Sequence, residues 1–253
     1  YSSMMAVGAA LAAGVSVPLA HDLELGWRGS LGVWAILSLV AFFVWLPQLF
    51  RLKKSNSNRS YIKAMKKLGG SRIAWQVALF MGLQSLTFYV ILAWLPAILQ
   101  SRGYDASFSG WMLSLSQATG IIGALAIPFL AGKKKDQRSI VVFLILLELI
   151  GLVGLFLPEL GWVAIWISLI GFVMGGSFGL SLLFIVLRSQ DEESATELSG
   201  MAQSIGYFVA GIGPIVFGSI YDVTGSWTVP FILLFVVAFL KLITGMGVGK
   251  AIR

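Results

Sequence analysis

The chain has 253 residues, of which 58% are apolar and 11% are charged. A typical soluble domain is about 45–50% apolar and about 25% charged, so a water-soluble globule and a disordered chain are both excluded. The formal charge of +7 would suggest nucleic acid on a soluble surface, but the basic residues lie between apolar runs, where they act as membrane-topology signals.

The apolar runs are continuous and about twice the ten-residue length of alternating barrel strands, so they predict an all-α, polytopic membrane helical bundle. Eight spans follow in order: Ser2–Ala20, Gly29–Phe50, Ile73–Leu99, Phe108–Leu130, Ile140–Leu157, Gly161–Leu187, Leu198–Ser219 and Thr228–Val248. The chain opens at Tyr1 without a charged lead-in or cleavage site, which predicts no signal peptide and a first helix that has lost its start. Most connectors are short. The long one, Arg51 to Arg72, is basic and broken by Ser/Asn and Gly-Gly, so it reads as a linker between two bundles with a short amphipathic helix around Tyr61–Leu68.

With eight crossings, alternate connectors share a membrane face. One set, containing the linker and the tail after Val248, holds fifteen Lys and Arg, and the other holds only Arg28 and Arg102. That bias predicts a cytoplasmic linker and a cytoplasmic C-terminus. A shift of 86 positions lays the fourth span over the seventh, matching Gln117 with Gln203, Gly120 with Gly206, Pro128 with Pro214, Gly132 with Gly218 and Asp136 with Asp222. Apolar helices share Leu or Val for trivial reasons, but not Gln, Pro and Asp. Three crossings separate the copies, so they form an inverted-topology repeat, a device of transporters.

No span carries an enzyme signature: there is no P-loop, nucleophile elbow or H-E-x-x-H, no cysteine, and a single histidine, His21, read as a loop residue. The reading is therefore not an enzyme, without cofactor or metal. Gln84, Ser85 and Tyr89 on the third span are polar groups at membrane depth, so they belong against a bundle interior or a water-filled path. An amide and a phenol both donate and accept, which suits substrate hydrogen bonding; helix–helix bonding is the structural alternative. Trp94 reads as an interfacial belt residue, and Pro96 as a bend or end of its helix. Tyr207 lies one turn from Gln203 and shares its face. Gly171, Gly175 and Gly179, spaced by four, form a small-residue packing face. Glu148 and Lys241 are the intramembrane charges; their depths match, so they are candidates for an ion pair, with snorkelling of Lys241 or proton coupling through Glu148 left open. The acidic run Asp191–Ser194 reads as the N-terminal cap of the next helix, through Ser194 or Thr196.

The stretches FMGLQSLTFYVILAWLPAILQSRGY from Phe80 and GIGPIVFGSIYDVTGSWTVPF from Gly211, with the opening YSSMMAVGAALAAGVSVPLA, resemble the major facilitator superfamily, in particular its cyanate-porter branch (CynX- and NimT-like proteins). The resemblance implies twelve helices in two halves joined by a cytoplasmic loop. Residues 1–50 would then be the last two helices of the N-terminal half, 51–72 the central linker and 73–253 the C-terminal half. The partners implied are a small-molecule solute, the lipid bilayer, about four missing N-terminal helices of the same protein, and a proton if transport is coupled to one. The helices bearing Gln117 and Gln203 would line the central cavity, so Gln84, Ser85, Tyr89, Gln117, Gln203 and Tyr207 are the expected substrate pathway. The helices of Glu148 and Lys241 would stand away from it. The superfamily's loop motif G-x-x-x-D-(R/K)-x-G-x-(R/K) is matched by Gly132 and Asp136, but Gln137 and Ser139 depart from it; Arg138 and Lys133–Lys135 keep the loop basic. Gly218, Asp222 and Gly225 match its Gly and Asp positions in the pseudo-symmetric loop. The implied function is secondary transport of cyanate, a nitroimidazole-like compound or another small polar or anionic solute across a bacterial cytoplasmic membrane. A non-transporting sensor or assembly subunit and a passive channel are the alternatives.

Overall fold

The computed structural model describes residues 26–49, 66 and 68–251, with the isolated positions 8, 15 and 19. The expected span Ser2–Ala20, His21 and most of the linker helix lie outside the described residues. The chain divides into two compact units, whose main bodies are Ser3–Ser60 and Tyr61–Arg253. The first contains α1 (Gly26–Leu49), an apolar helix with Pro47 in its last turn.

The second unit is a bundle of six helices: α2 (Arg72–Gln100), α3 (Ala106–Gly132), α4 (Arg138–Phe156), α5 (Val163–Leu187), α6 (Glu192–Thr224) and α7 (Thr228–Val248). Among the described residues, seven helices, α1 to α7, are long and apolar enough to cross a membrane, and there is no strand. Each long helix forms because a spanning backbone in lipid must satisfy its own hydrogen bonds. α2 and α3 start at polar caps: Ser71 accepts from the Ala74 amide at 3.3 Å, and Asp105 accepts from the Phe108 amide at 2.7 Å.

α6 departs furthest from its expected span, running on to Thr224 where Ser219 is expected, and α2 departs from the reading of Pro96 as a helix end. α6 begins at Glu192, six residues before Leu198, and its cap is Asp191 and not Ser194 or Thr196. Asp191 Oδ1 accepts from the Ser194 amide at 2.7 Å while Ser194 Oγ accepts from the Asp191 amide at 3.0 Å, a reciprocal capping box. A hydropathy criterion misses this polar first turn because it lies beyond the hydrocarbon: 33 residues span about 50 Å, against a core of about 30 Å. α2 also continues past Pro96 to Gln100. The proline removes only the bond to the Leu92 carbonyl, and the following turn is kept in place by Ile98 and Leu99, both at 0% exposure.

The helices pair as the repeat requires. α3 packs most extensively on α5, and α2 on α6; α4 packs on α5 and α7, and α2 on α7. Exchanging α2–α4 with α5–α7 maps the first two pairs onto each other. The closest approaches are made by glycine. A Cβ built on Gly175 would strike the Gly120 carbonyl, one on Gly123 the Phe172 carbonyl, and one on Gly171 the Ser116 carbonyl. The repeat mate of Gly120 does the same in the other pair, where a Cβ on Gly82 would lie 3.2 Å from the Gly206 Cα. Since lipid tails are as apolar as leucine, such backbone contact, and not hydrophobic burial, draws these helices together.

Gly175→Leu is expected to destabilise the bundle by at least about 2 kcal/mol through overpacking against a backbone that has no room to yield. Gly200→Ala, on α6 where a Cβ meets nothing within 4 Å, is expected to stabilise by about 0.5–1 kcal/mol. Thermal unfolding in detergent reads both.

Candidate functional site

A cavity of about 460 Å³ opens between α2 and α6, lined by Tyr89, Leu92 and Ala93 from one helix and Tyr207, Ala210, Gly211 and Pro214 from the other. It exists because small residues stand where side chains would otherwise meet. Its only polar side chains are the two phenols, and no charged group lines it. Tyr89 packs edge-on against Phe88, with ring centroids 5.3 Å apart. Trp94, next in the chain after the cavity residue Ala93, donates from Nε1 to the Pro214 carbonyl at 3.0 Å, and its indole ring covers Gly218. Trp94 therefore ties α2 to α6 as well as standing near a membrane surface, and it stacks into a cluster with Trp227, Tyr221 and Phe217.

The other pathway candidates lie elsewhere. Gln84 and Ser85 are buried, at 2% and 4% exposure, and Gln84 Nε2 donates to Ser85 Oγ at 2.7 Å. Ser181 on α5 donates to the Met81 sulfur at 2.9 Å, which brings α5 against this face of α2. Gln117 is half-buried and donates to Ser116 Oγ at 3.3 Å; Gln203 is half-buried and donates to Ser199 Oγ at 2.7 Å. The structure thus brings Tyr89 and Tyr207 to one cavity and leaves the four remaining residues in local side-chain bonds. Ser177 and Ser181, buried on α5 at 1% and 0% exposure, were missed by the sequence reading because a serine on an apolar helix gives no signal without knowledge of its face.

Lys241 Nζ of α7 stands 2.6 Å from Glu148 Oε1 of α4, both side chains at 1% exposure. They are the only charged side chains that are buried among the described residues.

A family model described as Major Facilitator Superfamily matches residues 1–211. The chain belongs to the major facilitator superfamily. It is 41% identical over 99% of its length to an uncharacterized transporter, YycB, of Bacillus subtilis (strain 168), covering 62% of that protein. It is 39% identical over 99% of its length to the 2-nitroimidazole transporter of Escherichia coli (strain K12), covering 63%. It is 28% identical over 90% of its length to the cyanate transport protein CynX of the same organism, covering 58%. The chain therefore spans about three fifths of the length of these curated relatives. Proteins so named carry solutes and are not enzymes.

In this facilitator chain the two motif loops are built differently. In the loop from α3 to α4, Asp136 Oδ1 accepts from the Arg138 amide at 2.9 Å, and Arg138 Nε donates to the Met246 carbonyl of α7 at 3.2 Å. Gln137, where the motif carries a basic residue, is 2% exposed and forms a hub. Its amide N–H donates to the Gly249 carbonyl at 3.0 Å, and its Oε1 accepts from Arg188 at 3.1 Å. Arg188, at the end of α5, also donates to the Val248 carbonyl at 2.6 and 2.8 Å and to the Lys250 carbonyl at 3.0 Å. Burial lowers the Arg188 pKa, which the Asp136 carboxylate opposes. The guanidinium remains protonated and satisfies the terminal carbonyls of α7, which a helix end would otherwise leave bare. Gly132 has open space around it. At the other end of the repeat the expected loop positions are helical: Gly218 and Asp222 lie in the last turns of α6, Gly218 under the Trp94 ring and Asp222 exposed, and Gly225 caps the helix at φ +61°, a left-handed conformation that favours glycine.

Arg188→Lys is expected to lower stability by about 2 kcal/mol, because a single ammonium cannot reproduce a planar fork reaching several carbonyls. Unfolding of the purified variant measures it. Glu148→Ala is expected to cost about 3–5 kcal/mol by leaving Lys241 buried without a counter-charge, whereas Glu148→Gln with Lys241→Met is expected to be near neutral. Equal losses in the two proteins would contradict this.

Proposed function

We propose that this chain is the larger part of a secondary active transporter that moves a small solute across the cytoplasmic membrane by rocking alternating access. The observation that carries the reading is the uncharged cavity between α2 and α6, with Tyr89 and Tyr207 on its walls, in a chain of the major facilitator superfamily. Tyr89 and Tyr207 contact the solute. Gln84, Ser85, Gln117 and Gln203 belong to the pathway as its supporting polar groups, able to exchange their present local bonds for the solute's during the cycle. The relatives named for 2-nitroimidazole and cyanate supply the solute class: small, polar and planar or linear. Two phenols hydrogen-bond a neutral or charge-delocalised solute well, while a localised anion at this depth needs a cation that the cavity itself does not offer.

In this reading residues 1–50 are the end of the first half, 51–72 the central linker and 73–253 the second half. The fifteen-to-two distribution of basic residues between the two sets of connectors favours a cytoplasmic linker and C-terminus. The segments carrying Gly132, Asp136 and Arg138, around the α3–α4 turn, and Gly218, Asp222 and Gly225, at the end of α6, act in this reading as the bundle's gating edges.

The test is uptake of labelled 2-nitroimidazole and labelled cyanate by the full-length gene product in proteoliposomes. Tyr89→Phe and Tyr207→Phe are each expected to reduce uptake by up to about tenfold, the worth of one hydrogen bond, with thermal stability unchanged. Undiminished uptake in both variants would remove the cavity from the pathway, and absence of flux for every small solute tried would remove the transport reading.

A further inference from the structure

We infer that the cavity selects its solute by an N–H group, which it holds on two backbone carbonyls, those of Leu92 and Ala210. The inference deepens the transport reading above, on which its functional meaning rests. A spanning helix satisfies each carbonyl with the N–H four residues further on. Proline has no N–H. Pro96 in α2 therefore removes the ladder donor of Leu92, and Pro214 in α6 removes that of Ala210. Both residues so affected line the cavity, one from each helix. Besides its two phenols, the cavity wall thus holds two acceptors that their own helices do not bond in the α-helical register.

The internal repeat offers a contrast. In α3, Pro128 removes the donor of Ala124, the repeat mate of Ala210. There a Cβ on Gly179 would lie 2.9 Å from the Ala124 carbonyl oxygen and 2.5 Å from Pro128 Cγ, so α5 closes over that acceptor. In α6 the corresponding residue stands on a cavity wall instead. Ala210 is at 0% exposure, so water does not replace its missing donor. The Trp94 N–H is already taken by the Pro214 carbonyl, one turn further along α6. Ala93 follows Leu92 and Gly211 follows Ala210, so neither carbonyl has a long side chain next to it in sequence. Leaving a buried acceptor without a donor is unfavourable, and a solute N–H that enters between the helices removes that cost.

The groups on the wall divide the recognition between them. A carbonyl only accepts, whereas a phenol also donates. A solute with an N–H on one edge and an acceptor such as a nitro group on another bonds a carbonyl of Leu92 or Ala210 and a hydroxyl of Tyr89 or Tyr207 together. The ligand class is therefore a neutral, planar N–H heterocycle or a small amide. An anion that carries no proton meets the negative ends of two carbonyl dipoles, with no cation lining the cavity to offset them. Specificity in this site comes from the main chain, through the two prolines, as much as from the tyrosines.

Ring isosteres test this on the purified full-length protein. 2-Nitropyrrole keeps the ring N–H of 2-nitroimidazole, and 2-nitrofuran puts an oxygen in its place at nearly the same size. Against labelled 2-nitroimidazole, 2-nitropyrrole is expected to compete at least about tenfold more tightly than 2-nitrofuran, the worth of one hydrogen bond. Pro96→Ala returns an N–H to the Leu92 carbonyl, and Pro214→Ala returns one to Ala210. The double variant is expected to narrow the pyrrole-to-furan ratio to within about twofold, at a thermal stability no lower than native. Equal competition by the two rings in the native protein overturns the inference, whether or not the variants fold. So does cyanate competing as tightly as 2-nitropyrrole, an undiminished ratio in the double variant, or no binding of 2-nitroimidazole at all. An N–H preference in binding without flux in proteoliposomes keeps the site and removes the transport reading, while flux without that preference does the reverse.

Discussion

In a bilayer, leucine gains nothing by leaving lipid for the side of another helix, so a bundle of apolar helices must be held by something other than hydrophobic burial. Here that is the near-contact of backbones. α3 and α5 approach so closely that Gly123, Gly171 and Gly175 leave no space for even a methyl group. This closeness sets the geometry of what surrounds it. With α5 fixed on α3, α4 seats its Gly151 beside Ile170, and Gly176 of α5 meets Leu144 of α4. The α4–α7 contact that shields Glu148 and Lys241 from lipid and water follows from that placement.

The internal repeat explains both the similarity and the difference of the two main helix pairs. Gly120 and Gly206 are repeat mates, and each stands where the backbone of its partner helix comes up against it. Beyond that point the pairs diverge. In α3, Pro128 and the Ala124 carbonyl lie against Gly179, so the groove is filled by backbone and ring. In α6 the mate, Pro214, lines the cavity with Ala210 and Gly211, and its carbonyl is taken by the Trp94 indole. The same inherited helix thus closes one interface and opens the other. The difference lies in what faces it: a glycine on α5, and a tyrosine, a leucine, an alanine and a tryptophan on α2.

Length and hydropathy make the spans legible, because a bilayer demands about 20 apolar residues whatever their neighbours. α7 begins and ends where hydropathy puts it, while α6 overruns because its polar first turn answers to capping chemistry outside the bilayer. The glycine spacing of α5 is legible as a packing face for the same reason that its partner is not: periodicity reveals a face, but the helix that meets it depends on tertiary placement. Depth is likewise readable for Glu148 and Lys241, while the contact between α4 and α7 that sets them side by side is a property of the fold. Gln84, Gln117 and Gln203 show the limit. Their polarity marks them in the sequence, yet each forms its bond with a serine one or four residues away, which the sequence contains but does not rank above a solute. The Arg188 clasp, joining residues 60 positions apart, has no local signature at all.

α2 is where these constraints converge. It packs on α3, α5, α6 and α7, and its sequence divides by face to suit them: Gly82 toward α6, Gln84 and Ser85 toward the bundle interior, Tyr89 and Leu92 toward the cavity, Trp94 back to α6. A helix with four neighbours cannot shift relative to one of them without disturbing the others, since close-packed contacts behave as alternative seatings and not as a continuous slide. A movement of α5 or α7 against α2 is therefore felt at its contact with α6, where the cavity lies. A bundle joined by glycine contacts suits this role, because smooth backbone surfaces permit a second seating that interlocked side chains would forbid.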